Sequence, residues 1–462
     1  MNQLPINDEH AAYEKVRAHT QGLEKKVFIM TFGCQQNEAD SEKLLGMAMK
    51  MGYLPTLDRS EASLILVNTC AIREHAEQKA LSKIGSFKKH KQEMPDCILG
   101  VVGCMTAQEH RVEHLKKRYP YVDFTLTPSK LHLLPMAVCA VMESRRRFFI
   151  EDSADPREYC EAHELPVAHK ESFRAWVSIM YGCNNFCSYC IVPYVRLRER
   201  SRATAEIENE VRTLIENGCR DISLLGQNVN SYNGECRFPA LLEKLDRIDG
   251  DFLLRFMTSH PKDADLELIR VMKEGRHIAP HLHLPLQSGS DKILAAMNRH
   301  YDLDRYMNTV TAFRRELPTA ALSTDIIVGF PGETEQDFEA TLDILGQVEY
   351  DMVYAFLYSP RKGTPAAQMT DQIDEKIKHE RFDRLLALQD EIAARKAKSY
   401  ENRTVRVLVD GKKDGSEGIL TARTDTNRLV QLKGDASLIG HFQQVHIDRA
   451  EAFVLYGTAI KE

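Results

Sequence analysis

Three closely spaced cysteines carry the strongest chemical signal in the sequence. Cys183, Cys187 and Cys190 stand in the stretch Tyr-Gly-Cys-Asn-Asn-Phe-Cys-Ser-Tyr-Cys, with the spacing C-x3-C-x2-C. A structural zinc site requires four protein ligands, and no cysteine or histidine follows at zinc-finger spacing. Three thiolates suit a four-iron cluster, in which one iron atom stays free to bind a small molecule. The alternatives are a zinc knuckle and three buried, unligated cysteines.

A second set of cysteines follows apolar runs in the first third of the chain. The runs read as β-strands at Val27–Thr31, Ala62–Val67 and Ile98–Val102, with helical patterns at Ser41–Met51 and Glu74–His90. A cysteine follows each run within two or three residues: Cys34, Cys70 and Cys104. Strands that alternate with helices predict a parallel sheet, and such sheets bind ligands beyond the carboxyl ends of their strands. The pattern predicts a second three-thiolate site, although a single cysteine in such a position is more often a small buried apolar residue.

Six further strand-like runs lie near the C-x3-C-x2-C motif and beyond it. The first run precedes the motif, and the other five follow it. The six runs are Trp176–Met180, Ile222–Leu225, Phe252–Phe256, His281–Leu286, Ser323–Val328 and Met352–Tyr358. Helical patterns lie between them, at Ala205–Glu216, Pro239–Leu245, Asp291–Met297 and Thr334–Val348. This alternation predicts an open, partial (β/α)6 barrel with its chemistry at the carboxyl ends of the strands. Gly-rich and polar turns follow several of these strands, either to approach a ligand or as ordinary turns.

The period of the apolar pattern changes after a long charged helix at Glu375–Tyr400. Five short strands are predicted in the tail, at Val405–Val409, Gly418–Ala422, Leu429–Leu432, Gln443–Ile447 and Ala452–Leu455. They predict a small β-barrel. The predicted organisation of this α/β protein is a flexible leader (1–24), an N-terminal parallel α/β domain (25–141), a linker (142–168), the barrel core (169–399) and the small β-barrel (402–462).

Composition limits the classes of protein that this sequence can belong to. The 462 residues are 43% hydrophobic and 28% charged, as in ordinary globular proteins. No apolar run approaches the ~20 residues of a membrane span, and the first residues lack the apolar core of a signal peptide. We therefore expect a cytoplasmic protein without a membrane partner, whose 11 cysteines are reduced or bind metal. The net charge of −6 means that any contact with RNA must come from local patches.

Nearly the whole sequence resembles the radical S-adenosylmethionine methylthiotransferase family, whose members end in a TRAM barrel. The amino-acid sequence is similar to that of the tRNA-modifying branch in five stretches: 31–41, 68–74, 255–261, 283–290 and 358–365. Three residues depart from the usual motifs. Gln36 stands where methionine is usual, and Val195 and Leu197 stand where threonine and glycine are usual. A leucine in place of glycine restricts the backbone just after the cysteine motif.

The resemblance implies two four-iron clusters with separate duties. The cluster on Cys183, Cys187 and Cys190 would cleave S-adenosylmethionine to a radical that removes hydrogen from carbon 2 of an adenine. The cluster on Cys34, Cys70 and Cys104 would carry the incoming sulfur, and a second S-adenosylmethionine would supply the methyl group. Residues expected to contact S-adenosylmethionine are Tyr189, Gly226, Gln227, Asn228, Gln287, Ser288, Asp325, Ile327 and Gly329.

The implied substrate is N6-isopentenyladenosine at position 37 of tRNA, in the anticodon loop. An electron donor such as flavodoxin or ferredoxin would supply electrons, and we expect a monomer. Four arginines after the motif could contact phosphate or form surface ion pairs: Arg196, Arg198, Arg200 and Arg202. Five cysteines are interpreted as structural: Cys97, Cys139, Cys160, Cys219 and Cys236.

Two rival functions remain at this stage. One is methylthiolation of an aspartate in a small-subunit ribosomal protein, which the motif wording disfavours. The other is a non-catalytic RNA-binding protein with metal knuckles and a β-barrel tail. Analysis of iron and labile sulfide separates the second rival from an enzyme, because a zinc protein contains no sulfide.

Overall fold

The computed structural model describes residues 8–72, 74–152 and 165–460. The chain divides into two compact units. The first comprises Met1–Lys170, Tyr181–Asn184 and Cys190–Arg202, and the second comprises Glu171–Met180, Asn185–Tyr189 and Ala203–Glu462. Within the described ranges, no helix is both long enough and apolar enough to cross a membrane.

A parallel sheet of six strands forms the centre of the first unit. Its strands are β1 (Lys26–Thr31), β2 (Leu54–Pro55), β3 (Ala62–Thr69), β4 (Ile98–Gly103), β5 (Phe124–Leu126) and β6 (Phe148–Phe149). Their order is β2-β1-β3-β4-β5-β6, and every neighbouring pair is parallel. The larger helices of this unit are α1 (Glu9–Thr20), α2 (Gln35–Lys50), α3 (Glu74–Glu93), α4 (Glu109–Arg118) and α5 (Leu134–Ser144).

The expected leader and linker both contain packed structure. Helix α1 begins after Asp8, whose side chain accepts a hydrogen bond from Ala11 N, and it buries Ala12, Tyr13 and Val16 in the core that α5 shares. Apolar residues at helical spacing behind an N-cap explain why this segment folds. Strand β6 likewise lies inside the expected linker and extends the sheet. The segment 153–164 falls outside the described residues.

The stretch that carries the cysteine motif contains only short elements. They are β8 (Met180–Tyr181), α6 (Val192–Val195) and β9 (Arg200–Ser201), and they follow β7 (Arg174–Ser178). The rest of the barrel core supplies five longer strands: β10 (Asp221–Leu225), β11 (Leu253–Phe256), β12 (His281–His283), β13 (Ala321–Val328) and β14 (Met352–Leu357). Helices α7 (Thr204–Glu216), α8 (Phe238–Asp246), α9 (Leu266–Glu274), α10 (Asp291–Ala296), α11 (Leu303–Glu316), α12 (Glu335–Val348) and α13 (Glu375–Lys398) complete it.

The core strands form two parallel sheets of three, in the orders β11-β10-β7 and β12-β13-β14. Both sheets contribute to one large hydrophobic cluster, which is lined on the outside by the amphipathic helices. The predicted α/β class with a partial six-stranded core is confirmed. The predicted small β-barrel is confirmed as well.

The small barrel is closed and has its own apolar interior. Its strands are β15 (Thr404–Lys412), β16 (Ile419–Thr424), β17 (Leu429–Lys433), β18 (Phe442–Glu451) and β19 (Val454–Ala459), in the order β15-β16-β17-β19-β18. Val407, Val409, Ala422 and Val430 are fully buried inside it. Polar contacts attach the barrel to the core, and Arg255 on β11 donates to the carbonyl oxygens of both Thr424 and Asp425.

Candidate metal centres and cofactor site

Three cysteines of the first unit lie at the carboxyl edge of its sheet. Cys34 is the N-cap of α2 just after β1, while Cys70 and Cys104 directly follow β3 and β4. These three strands are neighbours in the sheet, so their ends bring the three thiols to one edge. Cys70 and Cys104 are each only 1% exposed, and Cys34 is half-buried.

Each of these sulfur atoms contacts a different group. The Cys34 thiol donates to Asn37 Oδ1 at 3.4 Å, and the Cys70 sulfur accepts from the backbone N–H of Ile72 at 3.3 Å. The Cys104 sulfur accepts from Arg196 Nε at 3.2 Å. Backbone and cationic donors stabilise thiolates, which are the form that binds metal.

Two asparagines hold the loops that carry the thiols. Asn37 Nδ2 donates to Asn68 Oδ1 and to Thr69 O, both at 3.1 Å. Asn68 Nδ2 in turn donates to Asn37 O at 2.8 Å and to Ser41 Oγ at 2.9 Å. Gly103 has φ 96°, and a Cβ there would lie 2.4 Å from Asn68 Oδ1. The motif residues beside the cysteines therefore fix the edge of the sheet, a role that sequence reasoning did not assign to them.

Arg196 is buried in this edge, whereas the sequence left open a contact with phosphate or an ion pair at the surface. Its Nη2 lies 2.8 Å from Asp40 Oδ2, and both side chains are 5% exposed. Gln36, the departure from the usual methionine, donates from Nε2 to Asp40 Oδ1 at 3.3 Å. Arg198 is exposed, whereas Arg202 is buried.

Burial governs the ionisation of these groups. It raises the pKa of the Cys104 thiol to about 12, although the guanidinium of Arg196 opposes that rise. Burial also disfavours the charge of Arg196, but Cys104 and Asp40 hold the pKa of Arg196 well above its ordinary value. Without a metal centre, therefore, Cys104 is a neutral thiol beside a permanent cation, and metal binding must displace its proton.

The cysteines of the C-x3-C-x2-C motif are divided between the two units. Cys183 and Cys190 belong to the first unit, and Cys187 belongs to the second. The N–H of Cys183 donates to Leu197 O at 3.1 Å. Leu197 adopts φ 67°, so it keeps a left-handed backbone despite its side chain. Gly182, which directly precedes Cys183, must be glycine, because its φ is 70° and a Cβ there would lie 2.1 Å from Arg198 O.

In the second unit, Arg299 contacts the cysteine of that unit. Its Nη1 lies 3.2 Å from Cys187 Sγ and 3.3 Å from Tyr189 Oη. Arg299 lies between Asn298, with φ 58°, and His300, with φ 30°, in a turn that sequence reasoning did not single out. The turn is tied to the cysteine loop, since Asn298 Nδ2 donates to Phe186 O at 3.0 Å.

Unsatisfied polar atoms mark the carboxyl ends of β10 and β11. Within the described residues, Asn228 Oδ1, Ser259 Oγ and His260 Nε2 are buried and have no hydrogen-bond partner. Burial, aided by the charge of Arg299, lowers the pKa of His260, so its ring is neutral. Buried polar groups are normally paired, so these three atoms are available to a polar ligand. Gly226 and Gln227 precede Asn228 directly after β10.

The predicted cofactor residues of the other sheet lie after β12, within β13 and just after β13. Gln287 has φ 71°, and its backbone N–H donates to Asp325 O at 2.8 Å. Ser288 is buried beside it. Ile327 lies in an apolar cluster against which the ring of Tyr189 packs. Gly329 has φ 75°, and a Cβ there would lie 2.4 Å from Lys378 Cγ.

The side chains at the ends of β12 and β13 also carry polar contacts. His283 Nε2 lies 3.6 Å from Asp325 Oδ2, and His283 Nδ1 lies 2.9 Å from Ser323 Oγ. Across the described residues, no three His, Cys, Asp or Glu side chains lie within reach of a single metal ion. The three thiolates of a four-iron cluster do not have to reach one metal ion, because each thiolate binds a different iron atom.

Among the described residues, the cysteines interpreted as structural do not lie at the carboxyl ends of strands. Cys97, Cys139 and Cys219 are buried in three separate hydrophobic clusters, and Cys236 is half-buried. Burial raises the pKa of Cys97 and of Cys219 to about 12, so both stay protonated. Cys160 lies outside the described residues.

Comparison with known proteins identifies three regions. Residues 177–345 match the Radical SAM superfamily, residues 26–127 match Uncharacterized protein family UPF0004, and residues 398–460 match the TRAM domain. A solved structure with a similar fold is the radical S-adenosylmethionine methyltransferase TsrM from Kitasatospora setae. Its TM-score is 0.56 and its identity 14%, over 74% of this chain and 75% of that chain.

Curated relatives match the sequence along its length. The tRNA-2-methylthio-N(6)-dimethylallyladenosine synthase of Clostridium botulinum (strain Okra / Type B1) is 46% identical over 94% of this chain and 96% of the relative. The enzyme of that name from Alkaliphilus oremlandii (strain OhILAs) is 46% identical over 99% of this chain and 97% of the relative. This chain therefore belongs to the tRNA-2-methylthio-N(6)-dimethylallyladenosine synthase family of radical S-adenosylmethionine methylthiotransferases.

Proposed function

We propose that this chain adds a methylthio group to carbon 2 of N6-isopentenyladenosine at position 37 of tRNA. The observation that carries the proposal is the 46% identity to synthases of that name over nearly the whole chain. The identity spans the sheet with the three edge cysteines, the core and the small barrel. Members of this family use S-adenosylmethionine and four-iron clusters.

We assign one cluster to each cysteine set. Cys183, Cys187 and Cys190 would hold the cluster that binds S-adenosylmethionine. Cys34, Cys70 and Cys104 would hold an auxiliary cluster. Soft thiolates are the ligands that iron–sulfur clusters require, and all six residues are cysteines. When bound, the first cluster would supply the electron for cleavage of S-adenosylmethionine, and the auxiliary cluster would carry the incoming sulfur.

The chain's own residues position the reactants. The neutral ring of His260 and the amide of Asn228 each present a buried polar atom without a partner, which suits hydrogen bonds to S-adenosylmethionine. The ring of Tyr189 lies against the apolar cluster that contains Ile327, where a flat adenine could stack. We further assign cofactor contacts to Gly226, Gln227, Gln287, Ser288, Asp325 and Gly329.

The small barrel supports binding of RNA. TRAM is the domain that matches residues 398–460, and small barrels bind single strands through backbone and stacking contacts. Position 37 lies in the anticodon loop, where a purine is cheaper to unstack than in a paired stem. A flavodoxin- or ferredoxin-like donor would supply electrons. We place the enzyme in the cytoplasm, with its tRNA substrate, as a monomer.

The two rival functions are disfavoured. The relatives share the name of a tRNA enzyme, which disfavours an aspartate of a ribosomal protein as the target. The match to the Radical SAM superfamily disfavours a non-catalytic RNA-binding protein.

An assay with purified components tests the proposal. Anaerobic protein with reconstituted clusters is mixed with reductant, S-adenosylmethionine and tRNA that contains N6-isopentenyladenosine. We expect 2-methylthio-N6-isopentenyladenosine and 5′-deoxyadenosine, measured by mass spectrometry after digestion to nucleosides. The control is the same tRNA without the isopentenyl group. If the control tRNA is thiolated equally well, the proposed substrate is wrong.

A further inference from the structure

One arginine in the first unit contacts the sulfur of a proposed cluster ligand. Arg196 Nε lies 3.2 Å from Cys104 Sγ, and Arg196 Nη2 lies 2.8 Å from Asp40 Oδ2. The side chains of Arg196 and Asp40 are each 5% exposed, and Cys104 is 1% exposed. A planar guanidinium with two of its N–H groups engaged in this way has a fixed orientation.

An apolar shell surrounds this contact. Ile191, the N-cap of helix α6, and Val195, the last residue of that helix, form a hydrophobic cluster with Ala71 and Cys104. Exclusion of water from this cluster lowers the local dielectric and strengthens the interaction between the cation and a charged sulfur. The contact therefore acts on the sulfur more strongly than a surface arginine would.

Contacts of the neighbouring residue and of the carboxylate partner also hold Arg196 in place. The next residue, Leu197, accepts a hydrogen bond from the N–H of Cys183 at 3.1 Å. On the other side of the guanidinium, Gln36 Nε2 donates to Asp40 Oδ1 at 3.3 Å, which leaves Asp40 Oδ2 to Arg196. The arginine is thus held between a helix of the sheet edge and the loop that follows the cysteine motif.

We propose that Arg196 is a positioning residue of the auxiliary cluster, whose hydrogen bond to the sulfur of Cys104 raises the reduction potential of that cluster. The inference rests on the proposed assignment of Cys34, Cys70 and Cys104 to that cluster. Reduction adds one electron and no bond breaks, so the cluster gains one negative charge. Hydrogen bonds to the sulfur atoms and nearby positive charge favour that reduced state, as in other iron–sulfur proteins.

A redox titration of the auxiliary cluster tests this role. The parent protein is the full chain with Cys183, Cys187 and Cys190 all changed to alanine, so that only the auxiliary cluster remains. The midpoint potential is measured by electron paramagnetic resonance during reduction with dithionite. Arg196→Gln combined with Asp40→Asn removes both charges, so no unpaired carboxylate is left buried.

We expect the one-electron equilibrium constant for reduction to fall at least tenfold in this variant. That change equals a potential lower by about 59 mV. Arg196→Lys keeps the cation but loses the planar guanidinium, and its potential should also fall. If the neutral variant does not retain iron, an unchanged potential in Arg196→Lys overturns the proposal.

A matched control removes another ion pair from the same unit. Arg111 pairs with the buried Glu77 at 2.6 Å, so Arg111→Gln with Glu77→Gln deletes similar charges. If the potential shifts no more in the Arg196 variant than in this control, the role of Arg196 is overturned while the cysteine assignment stands. A parent protein without iron would overturn the cysteine assignment itself, and with it the role of Arg196.

Discussion

Arg255 makes a contact between the core and the small barrel that can be tested by substitution. The side chain is 10% exposed, and its Nε lies 2.9 Å from Asp221 Oδ1. Its Nη1 donates to Asp425 O at 2.7 Å, and its Nη2 donates to Thr424 O at 3.1 Å. One buried cation therefore satisfies a carboxylate of the core and two carbonyls of the barrel.

Arg255→Gln should destabilise the protein substantially. Breaking a buried ion pair typically costs about 3–5 kcal/mol, because the remaining charge is left without a partner. Here Arg174 Nε still lies 3.2 Å from Asp221 Oδ2, so the carboxylate of Asp221 keeps one positively charged partner in the variant. We therefore expect the lower end of that range, about 3 kcal/mol.

The control is another arginine between the same two parts. Arg406 on β15 pairs with Asp251, but these side chains are 31% and 63% exposed. Exposed pairs are worth about 0–1 kcal/mol, so Arg406→Gln should shift the unfolding midpoint little. Urea unfolding can be followed through the single tryptophan, Trp176, on β7. If both variants shift the midpoint equally, burial does not set the strength of these contacts and the reasoning is refuted.

Five further substitutions test other parts of the account. Cys187→Ala should abolish formation of 5′-deoxyadenosine, whereas Cys70→Ala should allow some of it but no thiolated product. Equal loss in two folded variants would contradict the division of labour. Burial lowers the pKa of His281 to about 3, so this ring is protonated only on unfolding below about pH 6.5. The free energy of unfolding that depends on the neutral His281 ring is fully present above pH 6.5 and is lost towards pH 3, by up to about 1.4 kcal/mol per pH unit. In His281→Gln, the midpoint of urea unfolding should therefore depend less on pH between pH 6.5 and pH 3. Leu197→Gly should change stability by less than about 1 kcal/mol, because relief of the left-handed strain offsets the added backbone entropy. Gly182→Ala should instead lose cluster iron, since its Cβ would lie 2.1 Å from Arg198 O.

The order of strands and helices could be predicted because each element has a local signature. Cys34, Cys70 and Cys104 were placed at one sheet edge because parallel strands share their carboxyl ends. Helix α1 was predicted as a flexible leader because its few apolar residues lie among charged ones, and the core residues that they join come from later segments such as α2 and α5.

Contacts between distant parts of the chain could not be predicted in the same way. Asp40 and Arg196 are 156 positions apart, and nothing in the local sequence of either one indicates the other. Arg196 therefore looked like a surface arginine that could bind phosphate. The contacts of Arg255 with Asp221 in the core and with two carbonyls of the small barrel are hidden for the same reason, because its local sequence shows only an arginine within a strand.

Docking of the small barrel also changes how RNA binding should be tested. Deletion of residues 402–462 would remove both carbonyl partners of Arg255. It would also remove Arg428, whose Nη2 lies 3.1 Å from Asp351 Oδ1. A truncated protein would combine any loss of tRNA binding with loss of stability. Substitutions on the exposed face of the barrel separate the two effects.

The most direct test of the central claim is nucleoside analysis of tRNA from cells that lack this protein. Mass spectrometry should find N6-isopentenyladenosine without its 2-methylthio form. Expression of the natural chain should restore the methylthio form, and expression of Cys187→Ala should not. Persistence of 2-methylthio-N6-isopentenyladenosine in the deletion strain, together with loss of a methylthio group from a ribosomal protein, would contradict the account.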